Sequence, residues 1–102
     1  LAMMAKEMNQ PFEVYEQTAN NIKTAINKQL WMSDKGYYAQ YIYGRNYLTV
    51  SPRFEALGEA LSVLFDVANE RQANSIFEKS PLTAYGVTCI YPQIPGIPPY
   101  HN

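Results

Sequence analysis

The chain is short of the residues on which most recognisable sites are built. Its 102 residues include one cysteine, Cys89, and one histidine, His101. A single thiol excludes an intramolecular disulfide framework and any zinc site built on several thiolates. There is no metal motif, phosphate-cradling glycine loop, serine nucleophile elbow or cysteine–histidine pairing, so neither metal nor cofactor is expected. Charge is also scarce. Charged residues make up 17%, below the roughly 25% usual for soluble domains, and a free-standing protein of this size should carry more. Eight Lys and Arg against nine Asp and Glu leave a net charge of -1, which offers no cationic footprint for nucleic acid or an anionic membrane. No apolar run approaches the roughly 20 residues of a membrane helix, and no basic start with an apolar stretch behind it marks a signal peptide. The opening on Leu1 rather than methionine reads as a piece of a longer chain, one small domain or part of a larger one.

Tyrosine is what the chain has in surplus. There are nine, and five of them crowd between Tyr37 and Tyr47. A flat apolar ring with a hydroxyl at its tip suits either a core edge or a surface that recognises a polar, ring-shaped ligand.

Leu1 to Met8 consists of helix formers without a leading cap and reads as the tail of a helix. Tyr15, Ala19, Ile22, Ile26 and Leu30 then fall on one face of an amphipathic helix from about Pro11 to Trp31, with Glu16, Asn20, Lys23 and Asn27 opposite. GYYAQYIYG, bounded by Gly36 and Gly44, reads as a strand that pairs with Tyr47 to Val50 across Gly44-Arg45-Asn46. Ser51 as N-cap and Pro52 at the first helical position predict a second helix reaching about Val67. Its apolar side is Phe54, Leu57, Leu61, Leu64 and Phe65. Asn69 can cap a third helix, Glu70 to about Lys79, which Ser80-Pro81 ends. A short strand is predicted from Val87 to Tyr91, and PQIPGIPPYHN is irregular. The tight turn at Asn69 makes the last two helices antiparallel, so segments 33–52 and 80–102 should emerge at one end, where binding residues collect.

The residues there carry two readings each. Glu55, one helical turn before Glu59, either complements a helix N-terminus or faces a ligand. Arg53 either pairs with a carboxylate or presents its donors to a polar molecule. His101, beside Tyr100 and Asn102, is first a hydrogen-bonded loop residue and second a ligand. On the strand, Tyr38, Gln40 and Ile42 should share one face and Tyr37, Ala39, Tyr41 and Tyr43 the other. One face packs on helices and the other is free to stack on a sugar ring. Two carboxylates flanking a bond are the minimum for glycoside hydrolysis, and no convincing pair can be assembled.

Trp31 with Gly36-Tyr37-Tyr38, then Ser51, Arg53, Glu55, Leu57-Gly58 and Leu61, then Tyr91-Pro92-Gln93 and Pro99-Tyr100-His101-Asn102 resemble the C-terminal half of bacterial six-hairpin glycosidases. These are (α/α)6-toroid enzymes related to glucoamylases, trehalases and mannosylglycerate-hydrolase-like proteins. The resemblance implies a mainly α fold, with helical hairpins of an incomplete toroid and a tyrosine-rich β-hairpin between helices. Residues 1–102 would be one fragment of a larger periplasmic or extracellular catalytic domain. The implied activity is two-carboxylate hydrolysis of a carbohydrate, with general acid and base on other hairpins. Tyr38, Tyr41, Arg53, Glu55, Tyr100, His101 and Asn102 would supply substrate contacts in a funnel. The rest of the parent chain, or self-association, would cover Leu57, Leu61 and Leu64. The alternative is a non-catalytic carbohydrate-binding or helical interaction module.

Overall fold

Backbone pairing, more than helix packing, organises the middle of this chain. The computed structural model describes residues 1–100, with four helices, α1 (Ala2–Glu7), α2 (Glu13–Gln29), α3 (Ala56–Leu64) and α4 (Glu70–Lys79). Eight short strands interleave with them: β1 (Trp31–Met32), β2 (Tyr37–Tyr38), β3 (Tyr41–Tyr43), β4 (Thr49–Ser51), β5 (Phe54–Glu55), β6 (Leu82–Thr83), β7 (Gly86–Val87) and β8 (Ile90–Tyr91). They form four separate antiparallel pairs, β1–β2, β3–β4, β5–β8 and β6–β7.

The expectation of a mainly α chain is therefore corrected: the fold is mixed, 42% helical and 18% strand. The toroid resemblance is corrected with it. A toroid is built from helical hairpins that share a core, whereas neither α1 nor α2 has a single buried residue. The core lies instead where strands and helices meet. Tyr38, Phe54, Ala68 and Ile76 form it, with Ile26, Leu30, Trp31, Tyr37, Ala56, Val63 and Val67 packed around. Trp31 meets Tyr38 edge-on at 4.9 Å and Tyr37 meets Phe54 at 5.4 Å between ring centroids, geometries that the aromatic quadrupole favours.

The tyrosine-rich run is two strands rather than one. Trp31 and Met32 take Tyr38 and Tyr37 as register partners, while Tyr41 to Tyr43 pair with Ser51 to Thr49. Between them the Ala39 amide donates to the Leu30 carbonyl and the Gln40 amide to Ser51. Gly36, at φ +78, permits the first turn and the close approach of α4. A Cβ there would lie 2.4 Å from Ser75 Oγ, the atom that donates to the Gly36 carbonyl.

Ser51-Pro52 does not start α3. Ser51 is buried in β4, where its hydroxyl donates to Gln40 Oε1 at 3.1 Å, and the chain runs on through β5 before turning helical. Glu55 caps α3, accepting from the Leu57 and Gly58 amides at 3.3 and 2.7 Å. These satisfy donors that a helix start otherwise leaves unpaired. The face of α3 also differs from its apolar pattern: Glu59 and Ser62 are buried, while Leu57, Leu61, Leu64 and Phe65 are exposed.

At the other end Asn69 and Gln72 form a reciprocal capping box, Asn69 Oδ1 accepting from the Gln72 amide and Gln72 Oε1 from the Asn69 amide. Gln72 Nε2 also donates to Asn27 Oδ1 at 2.9 Å. Asn27 is the junction of the fold. Its Oδ1 accepts from Tyr38 Oη as well, at 2.7 Å, and its Nδ2 donates to the Val67 and Lys23 carbonyls. One side chain thus ties α2, β2, the α3–α4 turn and α4 together.

Candidate functional site

β5 delivers the chain to the start of α3 with Glu55 at the junction, and one turn of helix then sets Glu59 on the same side, since residues four apart in a helix are neighbours. β2 and the Ala39-Gln40 link close over this point from one side and the last turn of α2 from another. They enclose a cavity of about 270 Å³ lined by Ile26, Leu30, Tyr38, Ala39, Gln40, Glu55, Gly58, Glu59, Leu61, Ser62, Phe65 and Val67. Gly58 leaves room for the Glu55 carboxylate, since a Cβ on it would sit 3.1 Å from Glu55 Oε2 and press that carboxylate aside by a few tenths of an ångström. The cavity adjoins a shallower hollow lined by Ala25, Gln29, Tyr41 and Ile42, with Ile26, Leu30 and Gln40 common to both. Beyond it the half-exposed rings of Tyr41 and Tyr43 stand tilted to one another at 5.7 Å on β3.

Glu59 is the unusual group. It is 3% exposed, and its Oε2 has no hydrogen-bond partner. Burial pushes its carboxyl up from 4.5 to about 8; a hydrogen bond from the Tyr38 backbone opposes the rise and the charge of Glu55 adds to it. At neutral pH Glu59 therefore holds its proton. Burial likewise pushes the Tyr38 hydroxyl up to about 12, helped by Glu59, and raises Tyr37. Among the described residues, no group of three or more His, Cys, Asp or Glu side chains is placed to hold a metal ion.

Of the residues expected to contact substrate, Tyr38 and Glu55 line this cavity and Tyr41 the adjoining hollow. Tyr38 is a core residue whose hydroxyl is already bonded to Asn27, so it offers the site its ring alone. Arg53 and Tyr100 stand elsewhere. The Arg53 guanidinium donates to the Pro92 carbonyl, and Tyr100 Oη is bonded to Thr83 Oγ1 at 2.8 Å, with its ring against Tyr85. Pro92 and Thr83 border a second hollow of about 500 Å³ beside Lys79, Thr88 and Gln93. His101 and Asn102 lie outside the described residues. Glu59 and Gln40 line the cavity without being among the residues expected to contact substrate. The available signal was a glutamate within LGEAL, an acidic side chain set among leucines and alanine.

No protein-family model, no curated protein sequence and no solved structure matches the chain. The six-hairpin glycosidase resemblance thus has no support outside its short strings, and the fold described above speaks against it. No helix of the described residues is long and apolar enough to cross a membrane.

Proposed function

We propose that this chain binds carbohydrate along the strip from Tyr41 and Tyr43, past Gln40, into the cavity of Glu55 and Glu59. The observation that carries this reading is an exposed pair of tyrosine rings continuous with a concavity holding an amide and two carboxyl groups. A pyranose has an apolar C–H face that stacks on such rings and hydroxyls that need orienting polar groups, and sites of this mixed kind are how small polar ligands are held. Hydrolysis asks for more. An acid must protonate the leaving oxygen and a second carboxylate must act as base or nucleophile. The proton on Glu59 suits it to the acid's part, but Glu55 already accepts from the α3 amides. The reading is thus that of a substrate-contacting segment of a carbohydrate-hydrolysing assembly, with binding but not cleavage expected of the chain alone.

Titration of the isotope-labelled chain with glucose, mannose, galactose and their disaccharides, followed by NMR, tests this. Binding should shift the Gln40, Tyr41 and Glu59 resonances. Replacing Tyr41 and Tyr43 together by Ala should weaken it roughly five- to tenfold, as expected for loss of about 1 to 1.4 kcal/mol of ring contact. The absence of perturbation with every sugar would remove the proposal.

A further inference from the structure

α3 carries an apolar ridge and an apolar hollow side by side. Leu57, Leu61 and Leu64 follow one another at helical spacing, and all three are exposed. Ala56, Ala60 and Val63 form the neighbouring stripe of the same helix, since successive helix residues are turned about 100° from one another. That stripe lines a hollow of about 650 Å³, which Ile76 and Phe77 of α4 and Leu82 and Val87 of the β6–β7 pair enclose from the other side. Phe77, Leu82 and Val87 are exposed along it. Glu59 is the one ionisable residue among the described residues lining the hollow, and it is buried.

An occupant of this hollow has to bring an uncharged apolar ridge, and α3 itself presents one next to it. A two-fold pairing sets a patch against its own copy, so each ridge can enter the other copy's hollow. Charge on such a patch would repel itself, and this one exposes none. Area is sufficient as well. The accessible surface of 7969 Å² exceeds that of a compact monomer of this mass by roughly 2,000 Å², whereas a standard interface takes about 800 Å² from each partner. We propose that the chain forms a closed two-fold dimer, in which the ridge of Leu57, Leu61 and Leu64 of each copy seats in the other's hollow between α3, α4 and the β6–β7 pair. Ala60 is the middle residue of α3 (Ala56–Leu64) and is exposed between ridge and hollow. Where the two α3 helices cross antiparallel, it meets its own copy beside the axis. The dimer stands apart from the carbohydrate reading, because that cavity lies on the opposite flank of α3, along Gly58, Ser62 and Phe65.

Sedimentation equilibrium of the 102-residue chain over a wide range of concentration tests the proposal, and association should saturate at two copies. Ala60→Glu and Ala60→Lys, each checked for the parent's far-ultraviolet dichroism, should each weaken dimerisation about a hundredfold or more by setting like charges together. An equimolar mixture of the two should dimerise again, because glutamate then faces lysine. If substitution at position 60 unfolds the chain, Phe77→Ser at the exposed rim takes its place and should weaken the dimer at least about tenfold. A chain that stays monomeric at every concentration overturns the proposal and leaves the surface to a different segment or protein. Open-ended oligomers overturn it too, as do folded variants that dimerise like the parent, or a mixture of the folded Glu and Lys variants that stays monomeric.

Discussion

Glu59 makes stability depend on pH in a direction opposite to that of most paired carboxylates. Its carboxyl is raised from 4.5 to about 8 in the folded chain, chiefly by burial. Between those values the folded state holds a proton that the unfolded state has released. Stability then falls as pH rises, by about 1.4 kcal/mol per pH unit where the difference is one full proton. The contribution is complete below 4.5 and is lost as pH climbs through about 8. Integrated from pH 5 to pH 7, one such group accounts for about 2.5 kcal/mol. For a chain of this size that corresponds to a melting temperature lower by about 10 to 20 °C at pH 7 than at pH 5. Glu59→Gln removes the titration while keeping a neutral group of similar shape. Thermal melts of both proteins at half-unit pH intervals, followed by Trp31 fluorescence and far-ultraviolet dichroism, isolate Glu59 as the difference between two curves. The parent sequence should lose stability with rising pH relative to the variant, and the curves should converge near pH 5. Parallel curves across the whole range would refute the burial argument.

Asn27→Ala should destabilise by roughly 2 to 4 kcal/mol, because it strands Tyr38 Oη, Gln72 Nε2 and the Val67 carbonyl together. Urea denaturation giving a loss under about 1 kcal/mol would show that water replaces the network without cost. The exposed leucines of α3 predict self-association: sedimentation velocity should show reversible dimers or larger species that Leu61→Gln with Leu64→Gln diminishes, and a monodisperse monomer at every concentration would contradict it.

Local signals in the sequence hold where the chemistry is local. Asn69 with Gln72 three residues on specifies a capping box within one turn, and α4 spans Glu70–Lys79 as that cap implies. Gly36 and Gly44 mark turns because both adopt positive φ. The signals misled where distant segments decided. Ser51-Pro52 has the chemistry of a helix start, yet pairing of β4 with β3 and of β5 with β8 holds residues 49–55 extended, and Glu55 takes over the cap. Asn27 falls on the polar side of α2 by periodicity. It acquires a structural role only because Tyr38, Val67 and Gln72, from 11 to 45 residues away, converge on it. Of the residues lining the candidate site, Tyr38, Tyr41 and Glu55 are legible by residue type. Glu59 is not, because only the packing of β2 and α2 around α3 buries it.

The two anomalies of α3 have one origin. A helix as apolar as ALGEALSVL should turn its leucines inward, but the capping of α3 by Glu55 and the pairing of β5 with β8 fix its rotation, and that rotation places Glu59 and Ser62 toward the core. Leu57, Leu61 and Leu64 are consequently left 54%, 42% and 70% exposed. The rest of the chain is open as well, since neither α1 nor α2 has a buried residue. The accessible surface of the whole is 7969 Å², whereas a compact monomer of this mass exposes about 5,800 Å². Its radius of gyration is 15.7 Å against about 13 Å for a compact domain of this length. The excess, roughly 2,000 Å², is of the order that a stable protein interface buries. The same rotation therefore has two effects: it buries a carboxyl beside a cavity, and it leaves a leucine stripe on the surface. A variant that returned the leucines to the core would have to move Glu59 out of it, so stability and the candidate site are in opposition within this one helix.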